Sequence, residues 1–116
     1  MRYMMFITSS SQEPPTPELM EAIGKLAERE FKAGRLIETN GLMPISMATH
    51  VRLEKGEILV TDGPFAESKE VVGGYAVFEF ANHKEAVASA IEFMELHKKH
   101  TRGWEGRCEV RQIASE

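Results

Sequence analysis

The chain has 116 residues, 42 % of them hydrophobic and 28 % charged, with a formal net charge of −4. That length specifies one domain, 1–116, with a modest core; the mild acidity, with no basic stripe, argues against nucleic acid as a partner. A single cysteine, Cys108, leaves no intramolecular disulfide and fits a reducing cytoplasm, and no apolar run reaches membrane-spanning length.

Residues 2–8 read as a first strand, closed by the polar stretch Thr8–Pro15. Thr16-Pro17-Glu18 is a helix start: Thr as N-cap, Pro at the first helical position, and a carboxylate near the positive end of the dipole. Leu19, Ile23, Leu26, Ala27 and Phe31 keep helical spacing until Gly34 stops the helix. Strands follow at 36–42 and 48–54, the latter turning at Lys55-Gly56 into 57–61. A long strand occupies 71–80. Asn82 and Glu85 resemble a capping box that opens a second helix running to about Lys99, and 108–113 is the last strand.

The order is β-α-β, an inserted hairpin, then β-α-β. This is the ferredoxin-like split β-α-β pattern of an α+β sandwich, in which both helices cover one face of an antiparallel sheet. Tyr3, Met5 and Ile7 point to one side of the first strand and Met4 and Phe6 to the other; Tyr75 and Val77 likewise oppose Ala76, Phe78 and Phe80. Both sheet faces are apolar and two helices cover only one, so the patterning predicts a homodimer.

Chemistry-bearing residues concentrate in Thr61–Glu70, Thr-Asp-Gly-Pro-Phe-Ala-Glu-Ser-Lys-Glu, a loop between two strands. Aspartate at a turn start usually bonds the N–H two residues on, but here that residue is Pro64, which has none. Two readings of Asp62 stand: a cap on its own turn, or a carboxylate serving as base or orienter at a cleft. His97 keeps register with Ala90, Phe93 and Met94 and so faces the sheet. It is either a satisfied boundary histidine at a helix C-terminus or, paired with Asp62, half of a proton-transfer couple. Glu38 and Arg52 are charges within apolar strand runs, forming either a mutual ion pair or a pair lining a cleft. Glu67 and Lys69 are candidate lid residues. Gly73-Gly74 marks a bulge or a close backbone approach; no metal-site spacing, phosphate loop or cofactor fingerprint occurs. Cys108 reads as a buried core residue before a nucleophile, and Trp104 as closing a core edge before stacking a ligand.

Thr61–Glu70, followed by Gly73-Gly74-Tyr75, resembles the signature of DGPF-domain proteins within the YCII-related family. The likeness extends through Leu36–Leu42, Val51-Arg52, Glu85-Ala86, Leu96-His97, Trp104-Glu105-Gly106 and Glu109–Gln112. The resemblance implies a ferredoxin-like fold pairing into a dimeric α/β barrel. It also implies lyase-type chemistry through a His–Asp pair in some relatives, and association with extracytoplasmic-function sigma factors in others.

Three functions follow. The first is a small cofactor-free enzyme performing proton transfer or elimination on a small polar organic substrate. It would use Asp62 and His97 as the couple and Glu38, Arg52, Glu67 and Lys69 as substrate-holding groups. The second is a non-catalytic small-molecule-binding module, an accessory to a regulator. The third is a dimeric scaffold whose loop only secures the interface.

Overall fold

A computed structural model describes residues 1–10, 14–63 and 71–114. Its elements are β1 (Arg2–Ser9), α1 (Pro17–Lys32), β2 (Leu36–Gly41), a short 3₁₀ turn (Ile45–Met47), β3 (Thr49–Glu54), β4 (Glu57–Asp62), β5 (Val71–Glu79), α2 (His83–His100) and β6 (Gly106–Gln112). The expected order of elements is the one found.

Strands β2-β5-β1-β6 form one sheet in which every pairing is antiparallel. With the β3–β4 hairpin set aside, this is the strand order of the split β-α-β fold. Tyr3, Met5, Leu36, Phe78 and Phe80 project from the helix-covered face and pack with Ala86 and Ala90 of α2. Phe78 and Phe80 stack at 5.1 Å between ring centroids. Burying a side chain of this size stabilises the fold by about 1.5–3 kcal/mol relative to leaving it exposed.

Local chemistry fixes both helices. Thr16 Oγ1 accepts from the Leu19 N–H at 3.1 Å and donates to the His100 carbonyl at 3.0 Å, so one hydroxyl caps α1 and ties it to the end of α2. Asn82 Oδ1 accepts from the Glu85 N–H at 2.9 Å, and Glu85 reaches back to the Ala81 N–H at 3.2 Å, one residue earlier than a standard capping box. Gly34 follows α1 with φ of 77°, a value that favours glycine. Across the helices, Arg29 makes two hydrogen bonds to Glu92, at 2.8 and 2.6 Å. The buried Glu30 carboxylate accepts from Arg29 at 3.1 Å and from Arg35 at 2.8 and 2.7 Å. This chain of charges clamps α1 to α2 and to the start of β2.

The β3–β4 hairpin stands apart from that body. Its register places Val51 opposite Val60 and Leu53 opposite Ile58 on one face; His50 with Thr61, Arg52 with Leu59 and Glu54 with Glu57 occupy the other. The hairpin is thus amphipathic, yet every residue in both strands is exposed. The Cα radius of gyration is 16.1 Å, against the ~13.4 Å typical of a compact domain of this length.

Candidate functional site

Helix α1 presents Leu19, Ile23, Leu26 and Ala27 towards the sheet, above Met5, Leu36, Ala76, Phe78 and Cys108, and a cavity of about 260 Å³ lies between them. A second, more polar cavity of about 620 Å³ adjoins it, lined by Ser9, Ser10 and Thr16, by Leu42–Ile45, by Val71–Gly73 and by Thr101–Glu105. Ile7, Pro15, Leu19, Gly73 and His97 line both. The arrangement is an apolar chamber that opens into a wider vestibule.

His97 is placed at that junction by the last turn of α2 and is only 6 % exposed. Its Nδ1 lies 3.0 Å from the Phe93 carbonyl. A carbonyl can only accept, so Nδ1 carries the proton and Nε2 presents a lone pair. Phe93 meets the imidazole edge-on with centroids 4.7 Å apart, and Trp104 covers it at 4.5 Å. Burial depresses the His97 pKa below its ordinary value, opposed only by the Phe93 carbonyl, so the ring is held neutral near pH 7. Among the described residues Nε2 has no hydrogen-bond partner, and His97 lines both cavities. A neutral imidazole of this kind can take a proton from a molecule in the chamber or accept a hydrogen bond from it.

The other groups around the cavity are quieter. Burial pushes the Cys108 thiol up to about 11, so it stays protonated and behaves as an apolar wall. Glu30 lines the chamber, but its carboxylate is committed to Arg29 and Arg35 and held below the usual carboxylate range by the Arg35 hydrogen bonds. Arg102 and Glu105 stand at the mouth, where the Ser9 hydroxyl donates to the Glu105 carbonyl at 2.8 Å. Among the described residues no cluster of His, Cys, Asp and Glu is suited to a metal ion, and no helix is long and apolar enough to cross a membrane.

The residues singled out in the sequence fall in different places. Asp62 is the last residue of β4, and its carboxylate accepts from the Thr49 hydroxyl at 2.7 Å. The following Gly63 N–H donates to the Ala48 carbonyl at 2.9 Å, and a Cβ on Gly63 would lie 2.6 Å from the Ser46 carbonyl oxygen. No hydrogen bond joins Asp62 to His97; each has its own partner. Glu38 accepts from the Tyr75 hydroxyl, which also receives Asn40 Nδ2 at 3.1 Å. Arg52 lies 3.7 Å from Glu54, so Glu38 and Arg52 are not each other's partners. Glu67 and Lys69, with the rest of 64–70, lie outside the described residues. The strand that follows that segment enters at Val71–Gly73, on the vestibule wall.

Two features escaped sequence reasoning. Trp104, read as a core-edge residue, covers the His97 ring. Glu30 continues the apolar series Leu19, Ile23, Leu26 and Ala27 on the inner face of α1, and a carboxylate on an apolar stripe was the available signal.

The family model of the YCII-related domain matches residues 1–96 of the chain. An uncharacterised protein of Rhizobium meliloti (strain 1021) is 29 % identical over 108 residues, covering 93 % of this chain and 83 % of the relative. The family match ends one residue before His97.

Proposed function

The chain belongs to the YCII-related domain family, and from that premise we propose that it is a small cofactor-free acid/base enzyme. In this reading it acts on a small organic molecule whose apolar part occupies the chamber under α1 and whose polar head faces the vestibule. His97 Nε2 takes up the proton in a proton transfer or elimination. Asp62 is the carboxylate proposed to work with it, and Glu38, Arg52, Glu67 and Lys69 are proposed to hold polar groups of the substrate.

One observation carries the reading: a buried imidazole, held neutral by its burial, with Nδ1 tethered to the Phe93 carbonyl, on a residue that lines both cavities. A tethered Nδ1–H fixes the ring's tautomer and orientation, which a proton acceptor needs before its substrate arrives. The separate partners of Asp62 and His97 favour a second reading, a non-catalytic binding module serving a regulator, in which Nε2 merely accepts a hydrogen bond. In both readings the chain works in the cytoplasm as a homodimer, built on the sheet face that carries Met4, Phe6, Tyr75 and Val77 opposite the helices.

A thermal-shift screen of small metabolites, followed by turnover assays on each hit, tests the proposal. The enzyme reading expects saturable stabilisation that is weakened in His97→Gln, together with turnover abolished by the same change. Stabilisation without turnover selects the binding module. Hits that stabilise His97→Gln equally well would remove His97 from the site.

A further inference from the structure

The vestibule wall carries two charges that the fold does not use. Arg102 and Glu105 line it, one of each sign, and among the described residues neither side chain has an ion-pair or hydrogen-bond partner. The loop that bears them is anchored. Thr101 Oγ1 donates to the His97 carbonyl at 2.6 Å, the Ser9 hydroxyl donates to the Glu105 carbonyl, and between these ties the Trp104 ring lies on His97. Gly103, with φ of 69°, turns the chain between Arg102 and Trp104 in a conformation that favours glycine. Opposite charges in one short loop would neutralise each other if they met, yet no ion pair joins these two.

The chamber behind them has the opposite character. Met5, Ile7, Ile23, Phe78 and Phe93 are among its walls, and the polar groups of Glu30, Thr39 and Asn40 that also line it are bonded elsewhere. At ~30 Å³ for a water-sized group, its volume of about 260 Å³ takes roughly nine non-hydrogen atoms. That is room for the side chain of leucine, methionine or phenylalanine. His97 stands where the two cavities meet, buried and with no partner at Nε2 among the described residues.

We infer that the site takes a free apolar α-amino acid, with the side chain in the chamber, the carboxylate on Arg102 and the ammonium shared by Glu105 and His97 Nε2. This rests on the reading of chamber and vestibule as a small-molecule site, and it names the class of molecule that enters. Charge complementarity decides the class. A carboxylic acid of the same shape would satisfy Arg102 but bring a second anion to the wall that carries Glu105; an amine would do the reverse to Arg102. A zwitterion satisfies both. An α-amino acid also carries both charges on the carbon that bears its side chain, so they fall together at the mouth of the chamber. The guanidinium fork matches the two oxygens of a carboxylate, and an ammonium has three N–H donors, enough for a carboxylate and an imidazole acceptor together.

Isothermal titration calorimetry with L-leucine, L-methionine and L-phenylalanine tests the inference, each beside its deaminated and decarboxylated counterparts. At least one of the three should bind saturably, and loss of either head group should weaken it about 10-fold or more. L-serine, which has no apolar side chain, should not bind. In Glu105→Gln the amino acid should lose its advantage over the deaminated acid but keep it over the amine; Arg102→Ala should show the converse. A fold merely damaged by substitution would weaken all ligands alike. A deaminated acid that binds wild type as tightly as the amino acid overturns the zwitterion. Failure of all three amino acids to bind overturns it too. In that event, hits from the metabolite screen that are weakened in His97→Gln leave the cavity reading standing with another ligand class, and the absence of such hits removes both.

Discussion

Replacing Glu30 by Gln isolates the charge on the clamp between the helices. The Glu30 side chain is 4 % exposed, whereas those of Arg35 and Arg29 are 43 % and 55 % exposed. Removing one member of a fully buried pair costs about 3–5 kcal/mol, because the remaining charge is stranded without water. Exposed pairs contribute about 0–1 kcal/mol. Here only the carboxylate is buried: the two guanidinium groups can turn to solvent, and Gln retains one acceptor oxygen. The cost should therefore fall between those limits, at about 2 kcal/mol, or a melting temperature lower by roughly 8–10 °C for a domain of this size.

The charge also sets the pH dependence. Arg35 lowers the folded-state pKa of Glu30 below its unfolded value, so its contribution is fully present above that unfolded value, near 4.5. It fades as pH falls through the lowered folded value. The gap between wild type and Glu30→Gln, measured by guanidinium unfolding, should be constant from pH 5 to 7 and shrink below pH 4. Glu28→Gln is the control: Glu28 meets Lys32 at the similar distance of 2.8 Å, but at 65 % exposure, and should cost about 0.5 kcal/mol or less. Equal costs for the two variants, or a gap that widens in acid, would refute the reasoning that burial of the carboxylate governs the effect.

Three further outcomes are expected. Burial lowers the folded-state pKa of His97, so the unfolded chain binds its proton first; wild type should lose stability relative to His97→Gln as pH falls from 7.5 to 5.5, which thermal melts at each pH measure. A Cβ on Gly106 would lie 2.6 Å from the Thr8 carbonyl oxygen and 2.5 Å from the Trp104 ring, so Gly106→Ala should cost about 1–3 kcal/mol and shift the emission of the single tryptophan as its packing on His97 changes. With its thiol pKa at about 11, Cys108 should label slowly with a thiol reagent at pH 8 in the folded protein and rapidly once it is unfolded.

The elements of this fold were legible because their signals are local. Thr16-Pro17 and Asn82–Glu85 announce the helices through groups that bond within one turn, and alternation in β1 and β5 assigns the two sheet faces residue by residue. The amphipathic character of the hairpin was harder to read. Val51, Leu53, Ile58 and Val60 look like ordinary alternation until the register sets Val51 against Val60 and Leu53 against Ile58 on one face. His97 was legible as a buried helix residue from its spacing. Its tautomer was not, because that depends on a bond to the Phe93 carbonyl, and neither was its Trp104 cover, seven residues away across a loop. For the same reason the sequence suggested Glu38 with Arg52. Opposite charges in apolar runs invite pairing, yet Tyr75 and Glu54 stand closer in space.

The neck of the hairpin bears on how such a domain could vary. β2 and β5 pair up to Gly41 opposite Gly74, and the Leu42 N–H donates to the Gly73 carbonyl at 2.9 Å. A Cβ on Gly74 would sit 3.1 Å from the Asn40 carbonyl oxygen, so the strands meet there without side chains between them. The described residues 43–63 leave the sheet beside this contact, and the chain is back in the sheet at Val71 and Val72, which pair with Ser9 and Thr8 of β1. None of the described residues 43–63 belongs to the four-stranded sheet or to the clamp of Arg29, Glu30, Arg35 and Glu92. A change of length or sequence within 46–63 would thus remove no strand of the sheet and no member of the clamp, and would leave the vestibule-lining residues Leu42–Ile45 in place.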